Sequence, residues 1–463
     1  MHIRKILVAN RGEIAARVIQ TCNRVGIETV LAASEADLNS VPARLADETV
    51  CIGPAQSSQS YLNVDAVVAA AVAAKVDALH PGYGFLSENV RLARALREAG
   101  IIFIGPTEDQ LEAVGDKLRA RQHAVDAGLP VVPGGSVEDP ETAVELAKEI
   151  DYPILIKAVG GGGGRGMKQV HDAAGMKEAV EMAMAEADAA FGDGRVYLER
   201  YVASGRHVEV QVLGDGKNML HFGDRDCSIQ RRYQKLVEEA PAPDLSDELR
   251  GKMHAAAVAL GEHLGYRGAG TVEFLVDCKR NEFYFLEMNA RIQVEHPITE
   301  MITGVDLVEE QIAVAESRPL RWTQEEIRFN GHAIECRINA EDVSQDFRPT
   351  PGTVTRAAFP AGEHIRVDTH IEKGVTVTPF YDSLLAKIIV HGTDREAALS
   401  NMLKALKNCH LEGVATNVAM HAALMGDDRF RRGGVDTAFF NQFLSESGLG
   451  KSDTGLKQAG GKQ

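Results

Sequence analysis

Residues 157–168 read KAVGGGGGRGMK, with five glycines unbroken from Gly160 to Gly164 and Gly166 following Arg165. The apolar run Pro153 to Ile156 before them, and Met167 to His171 after them, both read as strands. The glycines therefore form the tip of a β-hairpin. Lacking Cβ, they leave N–H groups free to wrap phosphate oxygens. Gly161, Gly163 and Gly166 satisfy G-x-G-x-x-G, but the dinucleotide form of that motif needs a helix next, and a strand-like segment follows. Walker A also fails, because Met167 stands where Lys-Ser/Thr is required. A hairpin lid over nucleotide phosphates fits the pattern. Lys157 and Lys168 at its flanks argue against a plain surface loop.

Upstream, Lys5 to Ala9 reads as a buried strand, Asn10 to Glu13 as a turn, and Ile14, Val18, Cys22 and Val25 recur at helical spacing. Strands are expected over 28–33, 50–53, 78–80 and 101–105, with helices over 64–75 and 89–99. Such a βαβ series predicts a doubly wound parallel sheet, with chemistry at its strand ends. The loop HPGYGFLSEN, His80 to Asn89, closes one strand, and its Pro and two Gly fix its course. On its own it reads equally as a structural turn. Helices over 116–130, which includes Lys117, over 139–150 and over 173–190 surround β-rich segments at 196–202, 206–213 and 218–223. Together, 117–202 suggests a small α+β lid.

Downstream, Gly270 to Asp277 and Glu282 to Met288 alternate apolar and polar residues around Cys-Lys-Arg-Asn, an antiparallel hairpin. Counting out from the turn sets 277 opposite 283 and 273 opposite 287. Glu273 and Glu287 then face each other, with Asn289 beside them. Like charges so placed repel. A bridging cation removes that cost, and Mg²⁺ takes carboxylates together with substrate phosphates. Two solvated glutamates are the plainer alternative, disfavoured because both strands are otherwise apolar. The next segment, NARIQVEHP, sets Arg291, Gln293, Glu295 and His296 beside this pair. Arg and Gln suit a small oxyanion, and Glu295 could serve as a base. Arg337 falls on a further strand, 332–339, and helices are expected over 396–411 and 414–425.

At 463 residues the chain has room for two to four domains, and 44% hydrophobic content is ordinary for a folded protein. A formal net charge of −16 disfavours nucleic acid or an anionic membrane as the main partner. The six cysteines form no C-x-x-C pair, which suits a reduced cytoplasmic chain. No secretory signal and no apolar run of membrane-spanning length are evident. The segment from Ser447 is Gly/Lys/Ser/Gln-rich and is expected to be disordered.

Several blocks together resemble the biotin carboxylases of the ATP-grasp superfamily: KILVANRGEIAARV, HPGYGFLSEN, GDK at 115–117, IKAVGGGGGRGMK, RDCSIQRR, VEEAPAP, GYRGAGTVEFL, EMNARIQVEHPITEMITGVDLV and ECRINAED. The match is collinear from about residue 3 to residue 445. In length the chain is most similar to the free-standing subunit of bacterial acetyl-CoA carboxylases; pyruvate, propionyl-CoA, methylcrotonyl-CoA and urea carboxylases share the same blocks. The resemblance implies an N-terminal α/β domain over 1–115, an ATP-grasp domain over 116–315 with a mobile glycine-rich lid at about 130–203, an antiparallel C-terminal domain over 330–446, and a tail over 447–463.

It also implies a two-step reaction. ATP phosphorylates bicarbonate to carboxyphosphate, and the carboxyl group then passes to the ureido nitrogen of biotin. For this chain the resemblance puts Lys117, Lys157, Gly162, Gly163, Gly164 and Gly166 on the nucleotide phosphates. Glu199, Arg200, Tyr201, Val202, His207, Gln230 and Tyr233 would surround the adenine and ribose. Glu273, Glu287 and Asn289 would hold Mg²⁺ or Mn²⁺, two ions with ATP. Lys235, Arg291, Gln293, the Val294 N–H and Glu295 would hold bicarbonate, with Glu295 as base. Arg337 would stabilise the enolate-like biotin oxygen, and Tyr83 would lie near it.

Two departures stand out: Tyr233 sits where relatives often carry His, and the turn at 278–281 is slightly long. No Ala/Val-Met-Lys-Met biotinylation segment is found. The expectation is a homodimer that acts on biotin borne by a separate carrier, alongside a separate carboxyltransferase. A carbamoyl-phosphate synthetase-type ligase and a non-catalytic ATP-binding regulatory paralogue are the alternatives. Intact Lys235, Glu295 and Arg337 weigh against the latter.

Overall fold

The computed structural model describes residues 2–158, 167–192 and 194–449. The chain opens with the expected parallel sheet. Strands β1 (Lys5–Val8), β2 (Glu28–Ala33), β3 (Glu48–Cys51), β4 (Ala78–His80) and β5 (Ile102–Phe103) lie in the order β3-β2-β1-β4-β5. All four pairings are parallel. β1 leads through a tight turn into the helix Gly12–Val25, and Gly12 adopts φ 67, a left-handed value that glycine takes without strain. At the end of β4, Gly82 (φ 63) lies so close to β1 that an added Cβ would stand 2.9 Å from Asn10 Nδ2. That same amide nitrogen donates to the carbonyls of Pro81 and Tyr83, both at 2.7 Å. The HPGYG loop is thus pinned to the neighbouring strand end, which fixes Tyr83.

A small antiparallel sheet follows, with strands β6 (Gly134–Val137), β7 (Ile154–Ala158), β8 (Met167–Val170) and β9 (Val196–Arg200) in the order β6-β9-β7-β8. The helices Pro140–Ile150 and Met176–Phe191 bury Ala143, Ala147, Val180 and Ala183 against Ile154, Ile156 and Leu198, giving this unit its own core. β7 and β8 pair with Lys157 opposite Met167, so the glycine run joins two antiparallel strands, as expected. Gly162, Gly163, Gly164 and Gly166 themselves lie outside the described residues.

The largest element is an antiparallel sheet of eight strands. Strands β10 (Gly205–Asp215), β11 (Met219–Arg231), β12 (Gln234–Ala240), β13 (Arg267–Asp277), β14 (Glu282–Asn289) and β15 (His332–Asn339) run in the order β14-β13-β10-β11-β12-β15. Leu384–Gly392 and then Ile365–Thr369 complete it beyond β15. The expected helix over 396–411 runs Arg395–Lys407 and packs on this far end. Among the described residues, no helix is long and apolar enough to cross a membrane. The helix Phe439–Ser447 reaches the residue at which the polar segment begins.

The register of the β13–β14 hairpin corrects one expectation. Glu273 does stand opposite Glu287, but Asp277 faces Glu282 rather than residue 283. A register shift between Glu273 and Phe274 absorbs the difference. A bulge places one extra residue on one strand and re-aims the side chains beyond it. Here it leaves the glutamate pair aligned while Phe283 and Phe285 stay buried.

The parts are held together across a buried carboxylate. Glu300, on the helix His296–Thr303, accepts from Arg17 Nη2 of the first helix at 2.8 Å and from Arg366 Nη1 of the strand Ile365–Thr369 at 2.7 Å. It also caps the next helix through the Leu307 N–H at 2.7 Å. Removing one member of such a cluster leaves uncompensated buried charge, which costs about 3–5 kcal/mol. We therefore expect Glu300→Ala to lower the unfolding midpoint in a denaturant titration by a free energy of about that size. A midpoint within error of wild type would show that the two arginines find other partners.

Candidate active site

Strand register alone brings the charged groups together. Arg225 on β11 stands opposite Glu209 on β10, Glu209 opposite Glu273 on β13, and Glu273 opposite Glu287 on β14. Four ionisable side chains therefore cross four adjacent strands in one row. Three adjacent carboxylates in a sheet are unstable without cations. Arg225, fully buried, closes one end: its Nε donates to Glu209 at 2.6 Å, and its other nitrogens reach Gln211, Thr271 and Thr299. Lys235 on β12 supplies the second cation. Its ammonium donates to Glu209 at 2.7 Å, Glu273 at 3.0 Å and Glu295 at 2.8 Å.

These contacts set the protonation states. Burial raises the pKa of Glu295, but Lys235, Arg337 and Arg225 outweigh it and hold the carboxyl well below its usual range. Glu273 is likewise depressed, burial being overcome by Lys235 and His207. Burial pulls the Lys235 ammonium down, while the facing thiol and carboxylates raise it well above an ordinary lysine. Glu287 differs. Burial and the Glu273 charge both raise its pKa, and it projects into the cleft with no cation in contact among the described residues.

The loop after β14 completes the cluster. Asn289 and Gln293 donate to Glu273 Oε1 at 2.8 and 3.0 Å. Arg291 donates to Asn289 Oδ1 at 2.8 Å, to Gln293 Oε1 at 2.6 Å and to Glu88 at 3.1 Å. Glu295 occupies the residue before the helix His296–Thr303, its side chain making no cap bond; one oxygen accepts from Lys235 and the other from Arg337 Nη2 at 2.9 Å. His207 lies 2.6 Å from Glu273 through Nε2 and 2.7 Å from Gln230 through Nδ1.

This cluster floors a cleft of about 820 Å³ between the lid sheet and the large sheet. Of the residues expected in the site, Tyr83, Lys117, Lys157, Glu199, His207, Gln230, Tyr233, Lys235, Glu273, Glu287, Asn289, Arg291, Gln293, Val294 and Arg337 line it. Glu295 lies just behind, fully buried. Lys117 opens the helix Lys117–Asp126, where Asp116 supplies the cap. Lys157 pairs with Glu199 across the lid. Arg200, Tyr201 and Val202 are not brought to the cleft. Arg200 turns to Tyr284 and Glu282, the Tyr201 N–H bonds the Pro153 carbonyl, and Val202 lies against Gly205.

Sequence reasoning missed Glu209 and Arg225, Arg121 on the helix Lys117–Asp126, the lid residue Tyr197, and the apolar lining from Val132, Phe285 and Leu286. An arginine flanked by two aspartates, Asp224 and Asp226, in GDRDCSIQRR was the available signal for Arg225.

The donor set suits a hard divalent cation. Glu273, Glu287 and Asn289 offer oxygens on adjacent strands, and Glu287 is a carboxylate without a counter-ion among the described residues. The tighter donor group His207–Glu209–Glu273 already has the Lys235 ammonium beside it, so the uncompensated charge lies on the Glu287 side.

A cleft of that size under a lid, with Lys235, Arg291 and Arg337 converging on carboxylates along its floor, is the arrangement of an ATP-dependent carboxylating ligase. Comparison with known proteins agrees. Residues 2–111 match the biotin carboxylase N-terminal domain, 116–323 the ATP-binding domain of the carbamoyl-phosphate synthase L chain, and 335–442 the biotin carboxylase C-terminal domain. The chain is 48% identical to the biotin carboxylase of Nostoc sp. over 445 residues, covering 96% of this chain and 99% of that one. It is 49% identical to a pyruvate carboxylase subunit of Methanothermobacter thermautotrophicus over 442 residues, covering 95% and 90%. It superimposes on the biotin carboxylase domain dimer of Hydrogenobacter thermophilus 2-oxoglutarate carboxylase, solved with MgADP, ADP and bicarbonate, with a TM-score of 0.88 and 45% identity, covering 98% and 100%. The chain belongs to the biotin carboxylase family.

The Lys235 cluster carries a stability prediction. Glu295 and Glu273 have folded pKa values below their unfolded ones, so their pairing stabilises the fold above the unfolded value of about 4.3 and is lost as pH falls through the folded values. Lys235→Met should therefore unfold at a lower temperature than wild type at about pH 7.5, with the gap narrowing as pH drops below about 4. A gap independent of pH would place the lysine's contribution in packing rather than charge.

Proposed function

We propose that this chain carboxylates the ureido nitrogen of biotin borne on a carrier protein, from ATP and bicarbonate, as the first half-reaction of an acetyl-CoA carboxylase. The observation that carries the reading is the convergence of Lys235 and Arg337 on Glu295, beside Arg291 and Gln293 and next to the Glu273–Glu287 pair. Bicarbonate docks against Lys235, Arg291, Gln293 and the Val294 N–H, where fixed donors match a planar oxyanion. In the free site Lys235 and Arg337 hold Glu295 ionised. An anion that draws those two cations onto itself raises the Glu295 pKa, so the carboxylate becomes a base as the substrate arrives.

Lys117, Lys157 and the lid position the triphosphate above. Mg²⁺, bound through Glu273, Glu287 and Asn289, would neutralise charge on the transferred phosphoryl group. Arg337 then serves the second step by facing the charge that develops on the ureido oxygen. Tyr83, whose hydroxyl bonds Glu13, walls the same end of the cleft. We assign acetyl-CoA as the final acceptor and a homodimer as the working unit. Pyruvate is the second reading, favoured by the name of the Methanothermobacter relative.

Glu273→Gln or Glu287→Gln should raise the Mg²⁺ concentration needed for half-maximal rate and lower kcat on the order of 10²-fold. Wild-type rate at low Mg²⁺ in either variant would remove the metal assignment. Arg337→Ala should impair biotin carboxylation far more than bicarbonate-dependent ADP release, whereas Glu295→Gln should impair both. Equal losses in the Arg337 variant would sink the division of roles. Reconstitution with a biotinylated carrier and each carboxyltransferase decides the acceptor: malonyl-CoA supports the first reading and oxaloacetate the second.

A further inference from the structure

Behind Arg337 lies a pair of glutamates with no task in the two steps above. Glu238 on β12 and Glu335 on β15 are direct cross-strand partners, and both are fully buried. None of their four carboxylate oxygens has a hydrogen-bond partner among the described residues. Unsatisfied buried carboxylates are costly enough to require a reason. Glu238 Oε1 lies 2.5 Å from Arg337 Nη2, the nitrogen that also donates to Glu295 at 2.9 Å. The Glu238 contact is a close charge pair without the alignment of a hydrogen bond. One guanidinium nitrogen is thus shared by two carboxylates, one in the reaction and one outside it. Glu335 has no such cation among the described residues. On the next strand Lys387, opposite Arg337 by register, is engaged by the Val294 carbonyl at 2.9 Å and by Glu13 at 3.1 Å.

We propose that Glu238 is a second, non-reacting counter-ion of Arg337 and Glu335 its protonated neighbour, the two forming one acid–carboxylate pair that positions the guanidinium for biotin. The inference rests on the reading of Arg337 given above. Two adjacent buried carboxylates served by one guanidinium do not both ionise. Geometry selects the ion: Glu238 touches Arg337 and Glu335 does not. The electrostatics give the same order of ionisation: burial lifts Glu238 to about 7 against the pull of Arg337, while burial, opposed by Lys387 and aided by the Glu238 charge, lifts Glu335 well above the usual range, so Glu238 is the first of the two to ionise.

The need for such a pair follows from the chemistry. When Glu295 accepts the bicarbonate proton it stops being a counter-ion. Without Glu238, Arg337 would then turn to the nearest anion, the newly formed carboxyphosphate, and leave the ureido oxygen unserved. A counter-ion that takes no part in the reaction keeps the guanidinium in place between the two steps. Both glutamates are positioning residues, acting through Arg337 alone.

The test compares Glu238→Gln, Glu335→Gln and Arg337→Ala in the full chain, with folding checked by thermal midpoint. Two rates are read: bicarbonate-dependent ADP release without biotin, and carboxylation of biotin. Glu238→Gln should lose about 10-fold to 10²-fold in biotin carboxylation, the scale of an ångström's misplacement, with ADP release changed far less. Glu335→Gln, which is isosteric with a protonated acid, should lose much less than Glu238→Gln. Should Glu238→Gln fail to fold, Glu238→Asp keeps the charge, withdraws it by one methylene and should show the same split. The inference is overturned if Glu238→Gln affects both rates equally or neither, or if Glu335→Gln is as damaging. If Arg337→Ala itself fails to separate the two rates, the reading of Arg337 falls instead, and the two failures are told apart by that control.

Discussion

A single ammonium group among three buried glutamates is the constraint on which the site depends. Lys235 reaches Glu209 and Glu273, neighbours in the sheet, and Glu295, the residue that starts a helix. Charges with so little solvent around them are tolerable only when paired and hydrogen-bonded. The consequence is positional. If Lys235 is withdrawn, Glu209 and Glu273 repel across one ladder rung and Glu295 keeps Arg337 as its direct ion pair, with Arg225 acting from farther away. The cluster ties the loop from Asn289 to Glu295 to the sheet through Asn289, Gln293 and Glu295, while leaving ionised groups at the floor of a cleft. Its cations are oriented in advance but shared among several carboxylates, so an incoming oxyanion can compete for them. Preorganised charge of this kind needs little rearrangement when the reaction begins.

The hairpin bearing Glu273 and Glu287 was legible from residue order because two strands joined by a short turn have their pairing set by counting. Even there the count failed beyond the glutamates, since a bulge is not marked by any residue type, and Asp277 faces Glu282 instead. The parallel sheet was legible too: buried strands alternating with helices leave few alternatives. Glu209 and Arg225 were not. Their place depends on β10 pairing with the distant β13 and with β11 through an irregular register, neither of which a local pattern encodes. Glu238 and Glu335 were hidden for the same reason, lying far apart in the chain on strands that meet only in the folded sheet. Of the run Glu199 to Val202, which the family resemblance put around the nucleotide, Glu199 lines the cleft together with Tyr197, two residues before it on the same strand face, while Arg200 turns to β14.

The division between rigid and separable parts follows from where the cores lie. The parallel sheet, β10, β11 and the helices Gly12–Val25 and Leu307–Ala315 share one apolar cluster, so the N-terminal part and the floor are packed as one body. Lys387 ties that body to the far end of the large sheet, bonding the Val294 carbonyl next to Glu295 and pairing with Glu13 beside Tyr83. The lid has a core of its own built from Ile154, Ile156, Leu198 and its two helices. Groups that must be held to fractions of an ångström, the carboxylates, Lys235 and Arg337, all lie on the shared body. Lys157 and the hairpin bearing the glycine run, which the proposed function sets on the phosphates, lie on the unit with its own core. A unit with a separate core can change its angle to the floor while Lys235 keeps its three carboxylates; the ion pair that would yield is Arg200–Glu282, which joins β9 to β14 at the rim.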